Sequence, residues 1–177
     1  RSLTIRQRHA DADHPLLAET LDRLGQVLVK QGALDAAEPR LREAQAIREK
    51  LFPEVHPSRA VTLNNMGRLL QKKGNYAAAD SLHQTAQAIY QELYGTTNLD
   101  AANTLYERAQ AHRAQSDYAT AERLYERAAA MQRSLHGPEH PATQRSRKSL
   151  IDLYQSWDKP EKADSLRSVV AADSSQP

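Results

Sequence analysis

Leu17, Leu21, Leu24 and Leu28 recur at the three- and four-residue steps of one helix face. After the short stretch KQGAL, Ala37, Leu41, Ala44 and Leu51 take up the same stepping. The pattern predicts two antiparallel helices joined by a tight turn. Gly32 supplies a left-handed residue at the end of the first helix without a Cβ penalty. Pro15 stands at the start of that helix, where its missing N–H is no loss and its fixed φ helps. Pro39 lies early in the second helix and is expected to cause a small bend at most.

The pattern restarts every 42 residues. His14-Pro15, His56-Pro57, Asn98-Leu99 and His140-Pro141 head four columns. Below them Leu21, Leu63 and Leu105 align, then Gly25, Gly67 and Ala109, then Ala37, Ala79, Ala121 and Ala163. Glu38, Asp80, Glu122 and Asp164 keep one acidic position, and Ile47, Ile89 and Met131 one apolar position. A period of this length marks stacked copies of one supersecondary unit. The expected fold is therefore all-α, a right-handed α-solenoid of antiparallel helix pairs. Residues 14–55, 56–97 and 98–139 make three full units, and 140–172 a fourth, capping one. Residues 1–13 match the end of a preceding second helix, because Ile5 aligns with Ile47. They are expected to pack against residues 16–30. Residues 173–177, within the stretch AADSSQP, are expected to be a disordered tail. The small residues at 25, 67, 37 and 79 are expected to let paired backbones approach. A larger side chain there would cost about 1–3 kcal/mol.

Composition narrows the function. The formal charge is +2 with acids and bases interspersed, which argues against a nucleic-acid footprint. No window is apolar enough to span a membrane. There is no cysteine, hence no disulfide, thiolate metal site or cysteine nucleophile. These features fit a cytoplasmic setting. The start at Arg1 is read as a cut within a longer protein. Catalytic motifs are missing: no phosphate-cradling glycine loop and no nucleophile elbow, so neither enzyme activity nor a cofactor is expected. His136 and His140 are four apart, but Gly137 and Pro138 make HGPEH a turn, and a zinc site wants three or four ligands.

The string L-x-x-L-G-x-x-L-x-x-x-G-x-L/Y-x-x-A-x-x-x-L-x-x-A resembles the tetratricopeptide repeat. The 42-residue length and wording such as HPSRAVTLNNMGRLLQKKGNYAAAD resemble the repeats of kinesin light chains and many bacterial proteins. The segment LIDLYQSWDKPEKADSLR is similar to the closing segment of bacterial serine/threonine kinases that carry such repeats, although the kinase motifs themselves are absent. The resemblance implies a protein-interaction scaffold that holds a peptide on a concave surface lined by the first helix of each unit. A regulatory region of a multidomain kinase is the second reading. Self-association into a homo-oligomer through exposed repeat ends is the third.

Carrying the family's inward positions onto this register gives the candidate peptide-binding residues. They are Asp22 and Gln26; Asn64, Arg68, Gln71 and Lys72; Asn103, Tyr106, Gln110 and Arg113; and Lys148 in the fourth unit, beside Arg145. Amides can bond a peptide main chain and the bases can meet its carboxylates, so an acidic segment is the expected partner. Solvated polar faces are the plainer reading of the same residues.

Arg108 and Arg147 interrupt apolar columns, either as snorkelling side chains or as ion pairs between adjacent units. His112 replaces leucines and reads as a core histidine with a hydrogen bond. Tyr90, Tyr94, Tyr125 and Tyr154 are expected to fill seams, and Trp157 to cap the stack or anchor a neighbouring domain.

Overall fold

The computed structural model describes residues 14–53 and 55–173. They form eight helices and, among the described residues, no strand. The chain divides into two compact units at Leu93 and Tyr94, each made of two helix pairs. The first holds α1 (Pro15–Lys30), α2 (Leu34–Leu51), α3 (Pro57–Lys72) and α4 (Tyr76–Tyr94). The second holds α5 (Leu99–Ala114), α6 (Tyr118–His136), α7 (Pro141–Ser156) and α8 (Pro160–Asp173). This is the all-α architecture of stacked helix pairs that the sequence predicts. The expected preceding helix in residues 1–13 lies outside the described residues. Of the expected tail, Asp173 instead continues α8, and 174–177 lie outside the described residues.

The His-Pro pairs do more than mark helix starts. The Nδ1 atoms of His14, His56 and His140 accept the backbone N–H of Leu16, Ser58 and Ala142 at 3.2, 3.2 and 3.3 Å. At the odd column Asn98 Oδ1 accepts from Ala101 N–H at 2.7 Å. Each side chain thereby satisfies an amide that the helix itself leaves unpaired. The rings also stack, Phe52 on His56 at 3.8 Å and His136 on His140 at 4.4 Å. The second of these pairs is thus one instance of a repeated turn. No group of metal-ligating side chains that could hold an ion occurs among the described residues. His56→Ala is expected to lower stability by about 1 kcal/mol, read from the urea midpoint, while His56→Asn retains most of it.

The turns inside the pairs share one backbone state. Gly32, Gly74, Ser116 and Asp158 occupy the same column with φ of 78°, 82°, 61° and 54°. The left-handed residue is therefore kept even where no glycine provides it.

Close packing arises differently from the expectation. A Cβ on Gly25 would lie 2.5 Å from Leu41 Cδ2, and one on Gly67 would lie 2.5 Å from His83 Cε1. The missing side chain thus makes room for a side chain of the partner helix, sixteen residues on, rather than for the backbone at Ala37 or Ala79. Those alanines are fully buried.

In the first unit Leu17, Leu21, Ala44 and Ile47 form one core cluster, and Val29, Leu41 and Leu69 another. In the second unit Leu105, Leu124, Tyr125, Leu150, Leu153 and Tyr154 belong to one cluster, against which Trp157 packs. Trp157 also meets Tyr118 at 5.9 Å and carries Lys159 Nζ 3.3 Å above its ring. Tyr90, Tyr125 and Tyr154 are buried as expected, but Tyr94, at the end of α4, is 51% exposed. Burial lifts the Tyr125 and Tyr154 phenols above their ordinary range, so both stay neutral.

Arg147 is neither a snorkelling side chain nor a bridge between repeats. It is 5% exposed and bonds Asp173 in the helix it is paired with, Nη2 to Oδ2 at 2.5 Å. Arg108 is half-buried. His112 Nδ1 lies 2.9 Å from Asp117 Oδ2. The acidic column also has a use: Lys73 Nζ donates to Glu38 at 2.6 Å and Lys162 Nζ to Glu122 at 2.5 Å. The Lys73 hydrogen bond holds the Glu38 carboxyl below its ordinary value.

Candidate functional site

In the first unit α1 and α3 are joined by a buried polar bridge. Asp22 in α1 is 2% exposed and pairs with Arg48 of α2, itself 6% exposed. Thr62 Oγ1 of α3 donates to Asp22 Oδ2 at 3.0 Å and accepts from Arg48 Nη1. Asn65 Nδ2 donates to Asp22 Oδ1 at 3.3 Å, and Arg48 Nη1 reaches the Ser58 carbonyl at 2.5 Å. Burial lifts the Asp22 carboxyl above its ordinary value, opposed by the Arg48 charge and by the bonds from Asn65 and Thr62. This corrects the expectation for Asp22. Its carboxylate is committed inside the unit and cannot face a peptide.

The other candidates of this unit are accessible. Gln26, Asn64, Arg68 and Gln71 are half-exposed and Lys72 is exposed. Asn64 Oδ1 lies 2.8 Å from His83 Nδ1, so its amide is oriented by a buried ring.

In the second unit α5 and α7 present a connected polar face. Tyr106 is 8% exposed. Its hydroxyl lies 3.1 Å from Ser149 Oγ and accepts from Gln110 Nε2 at 2.7 Å. The Arg145 guanidinium sits 4.4 Å from the Tyr106 ring centroid, a cation–π contact, and Arg145 Nη2 donates to Asn103 Oδ1 at 3.4 Å. Gln132 Nε2 of α6 donates to the same oxygen at 3.4 Å, and Ser146 Oγ donates to Gln132 Oε1 at 2.7 Å. Arg113 Nη2 reaches Ser156 Oγ at 3.5 Å. Arg113 is half-exposed, and Arg145 and Lys148 are exposed. Asn103, Tyr106, Gln110 and Arg113 therefore share one stripe of α5, facing Arg145 and Lys148 on α7. Tyr106 acts as the floor of this face rather than as an exposed contact.

The two units use corresponding positions, 84 residues apart, for the same purpose. Asp22–Asn65 corresponds to Tyr106–Ser149, and Arg48–Thr62 to Gln132–Ser146. The first unit ties its first three helices with an ion pair, the second with neutral groups. Arg48, Thr62 and Asn65 were not singled out from sequence. A usable signal was Arg48 itself, one position beyond Ile47 on an otherwise apolar helix face.

These features define a protein built from repeated antiparallel helix pairs, with polar side chains displayed by the first helix of each pair. The sequence matches the tetratricopeptide repeat family over residues 1–50, 58–134 and 100–166, and the chain belongs to that family. Solved structures agree. The nearly identical TPR-like repeats of a protein from Podosopora anserina assigned as a kinesin light chain align with a TM-score of 0.80 at 25% identity. That alignment covers 90% of this chain and 75% of the other. A singly substituted form of such repeats from the same organism aligns with a TM-score of 0.77 at 24% identity, covering 96% and 80% of the two chains. BtubC (BKLC) from P. vanneervenii aligns with a TM-score of 0.81 at 20% identity, covering 99% and 71%. No curated protein sequence matches. Among the described residues no helix is long and apolar enough to cross a membrane. Tetratricopeptide repeats serve generally as protein-interaction scaffolds, and stacked repeats display the extended surfaces used for it.

Proposed function

We propose that the α5–α7 face of the second unit holds an extended peptide segment rich in Asp or Glu. The observation that carries this reading is the junction of Arg145 with Tyr106 and Asn103. It links the stripe of α5 to that of α7 and sets three bases, Arg113, Arg145 and Lys148, on one surface. Asp152 is the one acid on the facing stripe of α7. Asn103 and Gln110 supply amides for the peptide main chain, and the guanidinium groups supply forked donors for carboxylates. Gln26, Asn64, Arg68, Gln71 and Lys72 of the first unit offer the same chemistry, with Arg68 and Lys72 as their bases. The chain acts as a non-catalytic scaffold.

Titrating pools of short acidic and short basic peptides onto the chain tests this. The acidic pool is expected to bind, and Arg113→Glu with Arg145→Glu to weaken it by at least about tenfold. Raising the salt should weaken it further. Equal binding of both pools, or an unchanged affinity in the variant, would end the proposal.

A further inference from the structure

A hollow between α6, α7 and α8 stands apart from the α5–α7 face. Its volume is about 450 Å3, within the roughly 300–1,000 Å3 usual for small-molecule sites. Ala129, Ala130, Leu150, Leu166 and Val169 give it an apolar wall, and Val169 is an exposed large apolar side chain. Arg133, Arg147, Lys162 and Glu126 line it as well, Lys162 being paired with Glu122. The corresponding positions of the first unit, 84 residues earlier, carry Glu49, Leu63 and Ala78 in place of those three bases, and Arg42 in place of Glu126. The basic set therefore belongs to this unit and not to the repeat pattern.

The arginines already hold a carboxylate there. Asp173 accepts from Arg147 at 2.5 Å and from Arg133 at 3.0 Å, one oxygen to each. The second terminal nitrogen of Arg147, Nη1, is buried and has no hydrogen-bond partner among the described residues. A buried charged donor without an acceptor is costly, and Asp173 alone does not relieve that cost. Asp173 also comes from a lightly anchored element: Ala163 is the buried residue of α8. A lightly held helix end can yield its carboxylate to a competitor.

We propose that this hollow binds a small monocarboxylate with a short apolar tail. The carboxylate takes the place of Asp173 on Arg147 and Arg133, and the tail lies along Ala130, Leu150, Leu166 and Val169. Asp173 is the built-in competitor for the site.

Hexanoate, hexanol and hexylammonium, titrated separately into the full chain and followed by methyl NMR of Ala129, Ala130, Leu150 and Val169, test the proposal. Hexanoate is expected to give saturable shifts, hexanol weaker ones and hexylammonium none. Arg147→Leu installs the residue that the first unit carries at this place. It should weaken hexanoate by at least about tenfold. Asp173→Asn should tighten hexanoate by about threefold or more, because the competitor is neutralised. Hexanoate binding no better than hexanol would overturn the proposal. So would an Asp173→Asn variant that binds hexanoate no tighter than the parent, whatever Arg147→Leu does to folding.

Discussion

Asp22→Ala is expected to lower the unfolding free energy by about 3–5 kcal/mol, the usual cost of removing one partner from a buried ion pair. Among the described residues, the substitution leaves the buried Arg48 guanidinium with only the Ser58 carbonyl and Thr62 hydroxyl as acceptors. A guanidinium cannot shed its charge to escape that position. Arg48→Ala is the gentler change, because the stranded Asp22 carboxyl can take up a proton. Its cost should therefore depend on pH, and the sign follows from burial. Burial already lifts Asp22 above its ordinary value of 3.8, and the Arg48 charge is the foremost influence opposing that rise. Without Arg48 the native carboxyl rises further and holds a proton that the unfolded chain has released. Stability then falls as the pH climbs from the ordinary carboxylate value through the native one, and is level above it. Urea unfolding near about pH 4 and near about pH 7 should show Arg48→Ala losing more stability relative to the parent at the higher pH. Asp22→Asn combined with Arg48→Gln should recover most of the loss, since the second unit holds the corresponding helices together with Tyr106, Ser149, Gln132 and Ser146. If Asp22→Ala stays within about 1 kcal/mol of the parent, the bridge is not holding α1, α2 and α3 together.

The helices were legible because their signals are local. The prolines at 15, 57 and 141, the left-handed column at 32 and 74, and the leucine stepping lie within a few residues of the structures they specify. The architecture followed from the 42-residue period. The fate of Asp22 was not legible, because its partners lie 26, 40 and 43 residues away and register alone assigns positions to a face, not to a partner. Polar residues at 19, 22 and 26 look alike as a stripe; Arg48, Thr62 and Asn65 on neighbouring helices draw one of them inward. The connected face of α5 and α7 was readable as a set of residue types. What the sequence could not give was Arg145 lying over Tyr106, which turns an expected contact into a floor. The hollow beside α8 was signalled by Arg147 in a leucine column, but its other partner, Asp173, fell in a segment expected to be disordered. The small-residue columns at 25 and 67 were recognised, yet their partners were misplaced: the repeat shows which positions stay small, not which side chain fills the space.

That misplacement makes Gly67→Ala informative, because two effects of opposite sign compete. In the middle of α3 an alanine gains about 1 kcal/mol over glycine in helix propensity. Against this, the added Cβ would lie 2.5 Å from His83 Cε1 and 2.6 Å from Nε2. The ring cannot swing clear: it is fully buried, and Nδ1 is held 2.8 Å from Asn64 Oδ1. The helices must then separate or the ring must leave its rotamer, and overpacking of this kind costs about 1–3 kcal/mol beyond the propensity gain. The expected result is a net loss measured by urea unfolding. Gly25→Ala should lose less, because its obstacle is the branched end of Leu41, which has other rotamers to use. His83→Ala removes the obstacle, so Gly67→Ala should be harmless or stabilising in that background. The double-mutant cycle should then show a favourable coupling of at least about 1 kcal/mol. A Gly67→Ala variant more stable than the parent would mean that α3 and α4 are held further apart than the ring contact requires. The column at 25, 67 and 109 would then record a preference for small residues with no steric cause at His83.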